Sequence, residues 1–177
     1  RFATVAAILV FGMWLGRIAM QSEVVREMVV RYGYAGIFVV ALISGFNIVV
    51  PVPAVAFVPL FVASGMDFTI TIAVIVVGVT IADMLAFALG RAGRELDAMK
   101  HAKVLKRLDA LRTKRYWSPL VLLFFFASFA PLPNEVLAIP LGLMGYPALH
   151  VALPLLLGNL VFNTIASVCV RAIFFNI

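Results

Sequence analysis

The chain has 177 residues, of which 64% are hydrophobic and 12% are charged. Soluble domains average about 45–50% apolar and about 25% charged residues. A water-soluble core of this length could not enclose so much apolar surface. The composition therefore excludes an ordinary soluble domain and predicts one all-α integral membrane domain over residues 1–177.

The net charge of +6 is concentrated in one place. Segment 91–115 contains nine of the 14 Lys and Arg residues and three of the eight acidic residues, so it accounts for the whole excess. Because this segment lies between apolar blocks, we expect it to be a cytoplasmic loop rather than a surface that binds nucleic acid. The predicted location is the cytoplasmic (inner) membrane of the cell, with several crossings.

The first two apolar blocks differ in length. Residues 2–20 are evenly apolar and have no small-residue cleavage site, which predicts a retained N-terminal helix within residues 1–25 rather than a signal peptide. As one helix, residues 34–64 would extend for about 46 Å, more than the hydrocarbon core of about 30 Å. Pro51 and Pro53 interrupt this block, which predicts a hairpin that enters the bilayer and leaves on the same side.

The third apolar block, residues 68–90, has the length of a single crossing. Asp67 precedes it and is a residue type that caps the start of a helix. The following segment, 91–116, has apolar residues at three- to five-residue spacing and basic residues on much of the rest. This pattern predicts an amphipathic helix at the cytoplasmic surface that attracts anionic lipid. A loop that only fixes the topology would have the same composition.

The last apolar block, residues 118–170, repeats the pattern of the second and third. Pro131 and Pro133 interrupt its first part, and residues 147–170 have the length of one crossing. A shift of the sequence by 80 residues matches, without a gap, Pro51 with Pro131, Pro53 with Pro133, Gly65 with Gly145, Gly78 with Gly158 and Asp83 with Asn163. The sequence therefore predicts an internal repeat, with residues 30–92 as the first copy and residues 117–172 as the second.

The two copies are predicted to have opposite orientations. One complete crossing separates the hairpins, so the hairpins would open toward opposite sides of the bilayer and their Pro-x-Pro tips would meet near its centre. Broken helices at corresponding places in inverted halves are typical of transport sites. The expected fold is thus a small helical bundle with two inverted, opposed re-entrant helical hairpins.

Two acidic residues in apolar surroundings are the first candidates for chemistry, Glu135 after the second tip and Asp83 within block 68–90. A carboxylate at the centre of a bilayer costs at least about 2.5 kcal/mol, so such residues are usually functional. Desolvation favours the neutral form, so both could exchange protons, with Glu135 the stronger candidate. Alternatively, Glu135 bonds broken backbone at the tip, and Asp83 reaches the interface or pairs with Arg91.

Polar residues and prolines near the tips form the predicted substrate site. Its members are Asn47, Pro51, Pro53, Ser128, Pro131, Pro133, Asn134, Asn159 and Asn163, with Arg91 and Arg94 at the cytoplasmic end of block 68–90. The amides could bind a head group, although they would serve equally to bond interrupted backbone or to join helices. The arginines could bind a phosphate at the inner leaflet, or they could simply anchor the helix.

Neither an enzyme nor a metal or cofactor site is predicted. The sequence lacks the motifs of serine hydrolases, of phosphate-binding glycine loops and of zinc proteases. Cys169 is the only cysteine, and no histidine or cysteine pairs with His150 at metal-ligand spacing. An intramembrane hydrolase that uses the two acids is the enzymatic alternative.

The sequence around the hairpins resembles the DedA family, also called the VTT or SNARE-associated-type membrane domain. The resemblance covers residues 30–172 and rests on Asn47-Ile-Val-Val-Pro51-Val-Pro53, Ser64-Gly65, Phe129-Ala-Pro131-Leu-Pro133-Asn134-Glu135, Gly142, Gly145-Tyr146 and Gly158-Asn159. It implies opposed re-entrant hairpins, movement of polyprenyl phosphates or phospholipids across the bilayer, often linked to the proton gradient, and a role for Glu135 with protons or head groups. The first tip lacks the acid that many members carry, and Phe124-Phe125-Phe126 stands where many have arginines, so the chain would be a divergent member.

The expected function is therefore a lipid transporter, either a flippase or a scramblase, with proton coupling. The expected partners are a membrane lipid with an anionic head group and protons, and assembly into a homo-oligomer is left open. The alternatives are a proton-coupled small-molecule exporter and a non-transporting membrane scaffold that binds through the basic segment.

Overall fold

The computed structural model describes residue 14 and residues 21–46, 54–95, 103–130 and 132–175. Within these ranges all of the regular structure is helical, as predicted. The seven α-helices are α1 (Glu23–Gly45), α2 (Val58–Ala63), α3 (Phe68–Ala92), α4 (Lys103–Lys114), α5 (Ser118–Phe129), α6 (Glu135–Leu143) and α7 (Ala148–Phe175). Short 3-10 turns precede α2 (Ala54–Phe57) and follow α3 (Gly93–Glu95).

Among the residues that the structure describes, two segments are long and apolar enough to cross a bilayer, Phe68–Ala92 and Ala148–Val170. They correspond to the predicted crossings 68–90 and 147–170, so both helices are confirmed. The predicted cap is confirmed as well: the Asp67 carboxylate accepts a hydrogen bond from the Ile70 amide at 2.9 Å. This bond satisfies one of the free N–H groups at the start of α3.

Two predicted boundaries differ from the structure. α1 begins at Glu23, so it joins the end of the predicted N-terminal segment, most of which lies outside the described residues, to the first repeat. Gly33 divides α1 with φ 52° and ψ −139°, a conformation that glycine adopts without side-chain strain. The predicted surface helix 91–116 is not one helix, because α3 continues through Ala92 and the described helical part of that segment is α4.

The turns that end α2 and α6 have the same backbone geometry, 80 residues apart. Gly65 and Gly145 adopt φ 90° and 75°, which favour glycine. Each turn is closed by three amide-to-carbonyl bonds: Ser64 to Leu60, Gly65 to Val62 and Met66 to Phe61 in the first, and Met144 to Pro140, Gly145 to Gly142 and Tyr146 to Leu141 in the second. Both turns are Schellman motifs, so the repeat in sequence has a counterpart in backbone hydrogen bonds.

The first helix of each copy packs parallel to the long helix of the same copy. The contacts that fix these directions, in order along the helices, are Tyr34 with Asp67 and Ala41 with Gly78 in the first copy, and Trp117 with His150 and Ala127 with Gly158 in the second. α1 therefore runs alongside α3, and α5 runs alongside α7.

The long helices α3 and α7 pack in antiparallel directions. Val151 and Leu155, early in α7, belong to one apolar cluster with Phe87, late in α3. Ala166, late in α7, packs on a second cluster that contains Ile75, early in α3. α7 therefore starts at the end of the bundle where α3 finishes.

The pair α5–α6 extends only part of the way along α7. α5 and α6 contain 12 and 9 residues, or about 18 and 14 Å of helix. The start of α5 and the end of α6, which are their outer ends, meet where the Tyr146 hydroxyl donates to the Tyr116 carbonyl oxygen at 2.9 Å. Asn134, in the loop between them, contacts Asn159 near the middle of the 28-residue helix α7. The loop thus lies at mid-length of the long helices, which is where the site forms.

Candidate functional site

Asp83 and Glu135 are buried together inside the bundle. Asp83, in α3, is 0% exposed, and Glu135, the first residue of α6, is 3% exposed. Their carboxyl groups interact electrostatically. The alternatives for Asp83 are therefore wrong: the side chain does not reach the surface, and its hydrogen bonds come from amides rather than from Arg91.

Two asparagines direct all of their amide hydrogens into this site. Asn134 Nδ2 donates to Asp83 Oδ2 at 2.9 Å and to Asn159 Oδ1 at 3.0 Å. Asn159 Nδ2 donates to Asp83 Oδ2 at 2.8 Å and to Thr80 Oγ1 at 3.1 Å. One turn further along α7, Asn163 Nδ2 donates to the Asn159 carbonyl oxygen at 2.8 Å. This network joins α3, α7 and the loop before α6.

The hydrogen bonds at Asp83 are unevenly divided between its two oxygens. Oδ2 accepts both amide donors, whereas Oδ1 has no hydrogen-bond partner among the residues that the structure describes. The groups that act on the Asp83 charge are the two amides and Glu135, and no described Lys or Arg is among them. A buried carboxylate is costly unless a cation or a proton neutralises it, so Asp83 is suited to hold a proton.

The beginning of α6 sets the positions of Asn134 and Glu135. Asn134 precedes the helix, but its side chain makes no capping hydrogen bond and reaches Asp83 instead. Its carbonyl oxygen accepts the amides of Leu137 and Ala138, at 3.0 and 2.8 Å, which fixes the backbone of the loop. The positive end of the α6 dipole also favours negative charge at this point.

Backbone contact between α6 and α3 holds this arrangement. A Cβ atom at Gly142 would collide with the carbonyl oxygen of Phe87, and a Cβ atom at Gly90 would collide with that of Ile139. The two glycines therefore let α6 lie directly on α3, as small residues do between membrane helices. The contact fixes the depth at which Asn134 meets Asp83.

The predicted substrate-binding residues are only partly brought together. Asn134, Asn159 and Asn163 belong to the network, and Pro133 is half-buried beside Asn134. Ser128 is buried, but its hydroxyl donates to the Phe124 carbonyl oxygen of its own helix at 2.8 Å. The remaining members, Asn47, Pro51, Pro53 and Pro131, lie outside the described residues.

Arg91 and Arg94 lie apart from the network around Asp83. α3 continues as a helix to Ala92, so the backbone of exposed Arg91 lies about 12 Å beyond that of Asp83. The guanidinium group of Arg94 packs against Gly145, in the turn after α6. Both arginines therefore lie at the end of the bundle where α6 finishes.

A second group of contacts ties α4 to that same end. Arg112 Nη1 donates to the Met144 carbonyl oxygen at 3.0 Å, and its guanidinium lies 5.2 Å from the centroid of the Tyr146 ring. A cation at this position is favoured by the negative end of the α6 dipole. Burial raises the pKa of the Tyr146 phenol, while the charge of Arg112 lowers it.

Thr80, Ser167 and the Gly90–Gly142 contact were not identified from the sequence. Thr80 lies three residues before Asp83, and Ser167 lies four residues after Asn163, so helical spacing would have placed both beside known candidates. The glycine contact has no local signal, because it depends on how α6 lies on α3.

Chemically, the site offers two carboxyl groups, two amides and a hydroxyl in apolar surroundings. The described residues include no group of three or more His, Cys, Asp and Glu side chains able to hold a metal ion. Comparison of the chain with protein-family models, with curated proteins and with solved structures gave no significant match.

Proposed function

We propose that this chain is an integral membrane protein that moves a lipid across the bilayer and exchanges protons at Asp83 and Glu135. One observation carries the proposal: two carboxyl groups and two amides are buried together halfway along two helices of bilayer length. Ionisable groups at such a depth in an apolar bundle are costly to keep unless they serve a function.

The outer surface of the bundle supports placement in a membrane. Large apolar side chains are exposed along both long helices: Ile70, Val77, Ile81, Leu85 and Leu89 on α3, and Leu149, Leu153, Leu156, Leu157, Leu160, Ile165 and Val168 on α7. Apolar patches of this extent are unusual on soluble monomers and suit contact with lipid tails. The basic residues of α4 would face the cytoplasm.

In that orientation, the short helices would form the re-entrant hairpins expected from the sequence. α5 and α6 are each too short for a bilayer core of about 30 Å, and their outer ends meet at Tyr116 and Tyr146. α1 and α2 would form the corresponding hairpin from the opposite face, because α3 and α7 are antiparallel. This arrangement of inverted halves is the one that the DedA resemblance implies, and it supports a transport site between the tips.

The position of the second tip favours a lipid over a solute that enters through water. Leu132 is 53% exposed and Phe129 is 62% exposed, both within five residues of the buried Asn134. The polar site therefore lies directly behind a lipid-facing surface. A head group could reach Asn134 and Asp83 sideways while its tails remain among the exposed apolar side chains. The polyprenyl-phosphate and phospholipid classes both have this form.

The two acids supply the proposed coupling to protons. No described Lys or Arg acts on the charge of Asp83, so Asp83 is expected to hold a proton while the site is closed. When the site opens, water would accept that proton, and a cationic part of a head group could then neutralise the carboxylate. Glu135, at the start of α6, acts on the charge of Asp83, and the amides of Asn134 and Asn159 bond to Asp83.

The test is transport by the purified chain in liposomes. Asp83→Asn and Glu135→Gln keep size and hydrogen bonding but cannot exchange a proton, so labelled-lipid translocation should slow by about tenfold or more and lose its dependence on pH. Asp67→Asn is the matched control, because Asp67 is an exposed cap and asparagine caps helices as well.

The same vesicles distinguish the alternatives. Efflux of a trapped dye without lipid translocation would indicate a small-molecule exporter. Wild-type lipid translocation by both acid variants would refute the proposed role of the site. Absence of any transport by the folded wild-type protein would favour a scaffold, in which Lys106 and Arg107 of α4 matter and Glu135 does not.

A further inference from the structure

Ser167 carries a buried hydroxyl that the network around Asp83 does not use. The residue is 0% exposed, and its Oγ has no hydrogen-bond partner among the described residues. A buried hydroxyl without a partner is destabilising, and buried water commonly satisfies such groups. A small molecule that forms hydrogen bonds would therefore be stabilised beside the Ser167 hydroxyl.

Ser167 continues a polar row that leads away from Asp83. Asn159, Asn163 and Ser167 are four residues apart, so they follow one face of α7. The row extends for about 12 Å of helix. Because α7 is antiparallel to α3, the row runs toward the end of the bundle where α3 begins.

The face of α3 that corresponds to this row becomes apolar beyond Asp83, toward the end of α3. Under the 80-residue shift, Asn163 and Ser167 correspond to Asp83 and Phe87. Phe87 is buried, and its carbonyl oxygen lies against Gly142 in the backbone contact of α6 with α3. No space for water remains where these backbones touch.

The glycines of that contact have no counterpart beside Ser167. Gly142 and Gly90 correspond to Val62 and Val170. Valine carries a side chain where glycine leaves the backbone bare, so α2 and α7 cannot make the backbone contact that α6 and α3 make, and the two ends of the bundle are closed differently. The difference lies in the sequence of the two copies and not in their common fold.

We propose that a row of water molecules lies beside Asn163 and Ser167 and connects Asp83 with the end of the bundle where α3 begins. The Gly90–Gly142 contact closes the opposite end. A row of water would give the open position of Asp83 Oδ1 a partner and would carry protons to it. The use of this row as a proton path rests on the proposed function, whereas the presence of water does not.

The water can be detected by X-ray hydroxyl-radical labelling of the full chain in lipid nanodiscs, followed by mass spectrometry. Radicals form from water, so a buried side chain is labelled only where water lies beside it. Phe61 and Phe87 are a matched pair, since both are almost fully buried. Phe61 belongs to the cluster on which Ala166 packs. We expect Phe61 to be labelled about fivefold faster than Phe87.

Removal of the hydroxyl tests the assignment. Ser167→Ala should lower the labelling of Phe61 severalfold, whereas Ser128→Ala should not, because the Ser128 hydroxyl already donates to Phe124. Equal labelling of Phe61 and Phe87, or labelling of Phe61 that Ser167→Ala leaves unchanged, would overturn the water row. Labelling does not require transport. Normal lipid translocation by Asp83→Asn would therefore refute the proposed role of the site in transport without contradicting the presence of the water row.

Discussion

The hydrogen-bond network around Asp83 makes Asn159 the residue whose loss should destabilise the bundle most clearly. Asn159→Ala removes three side-chain bonds: those to Asp83 and Thr80, and the one accepted from Asn134. It also leaves Asp83 Oδ2 with a single amide donor. The bond from Asn163 survives, because its acceptor is the backbone carbonyl of residue 159.

The expected loss follows from the number and type of these bonds. Polar contacts between membrane helices average about 0.6 kcal/mol and reach about 1.7 kcal/mol. A hydrogen bond to a charged group contributes about 1.5–3 kcal/mol. Three bonds, one of them to a carboxyl group, give a loss of about 2–4 kcal/mol in the free energy of unfolding. Asn163→Ala is the matched control, and its single bond to backbone predicts a loss of about 0.6 kcal/mol.

Reversible unfolding in mixed micelles, with increasing sodium dodecyl sulfate and detection by circular dichroism, measures both variants. The reasoning predicts that Asn159→Ala unfolds at clearly lower denaturant than Asn163→Ala, with a similar slope. Equal midpoints for the two variants would mean that the network contributes no stability and that its geometry is not maintained by these bonds.

Two further predictions concern the end of the bundle where α6 finishes. Arg112→Gln should lower the thermal midpoint by about 2–4 °C, because it removes a hydrogen bond to the Met144 carbonyl and a contact with the Tyr146 ring that are together worth about 1 kcal/mol. Arg107→Gln, at an exposed position of the same helix, should leave the midpoint unchanged. Equal effects of the two substitutions would contradict the role of Arg112 in holding α4 against the end of α6. Because burial raises the pKa of Tyr146, the stability that its neutral form contributes is complete below the ordinary tyrosine value of 10.0 and is lost as the pH rises through the higher folded value. An absorbance titration should show one tyrosine that ionises after the others, and Tyr146→Phe should remove that step.

The parts of the fold that follow from local signals could be predicted from sequence. Asp67 caps α3 because a short carboxylate before an apolar run satisfies free amides. Gly65 and Gly145 end helices because the turn needs a positive φ. The starts of the two long helices are predictable because the long apolar runs begin there. The continuation of α3 to Ala92 is not, because the charge of Arg91 indicates the end of an apolar run.

The arrangement of the site could not be predicted from local sequence, because it depends on contacts between distant parts of the chain. Asp83 and Glu135 were chosen because a carboxyl group is costly in apolar surroundings, yet nothing local indicated that they meet. Their meeting requires the antiparallel packing of α3 and α7 and the close approach of α6 to α3 at Gly142. Arg94 lies away from this site, with its guanidinium group against Gly145.

The matching turns at Gly65 and Gly145 have a consequence for how such a bundle evolves. Because the hydrogen bonds of these turns are the same in both copies, the turns do not determine which copy carries which function. Specialisation then needs only a few side-chain replacements at equivalent positions, such as glycine against valine or aspartate against asparagine. A duplicated architecture can in this way acquire a preferred direction while the turns that end its short helices stay the same.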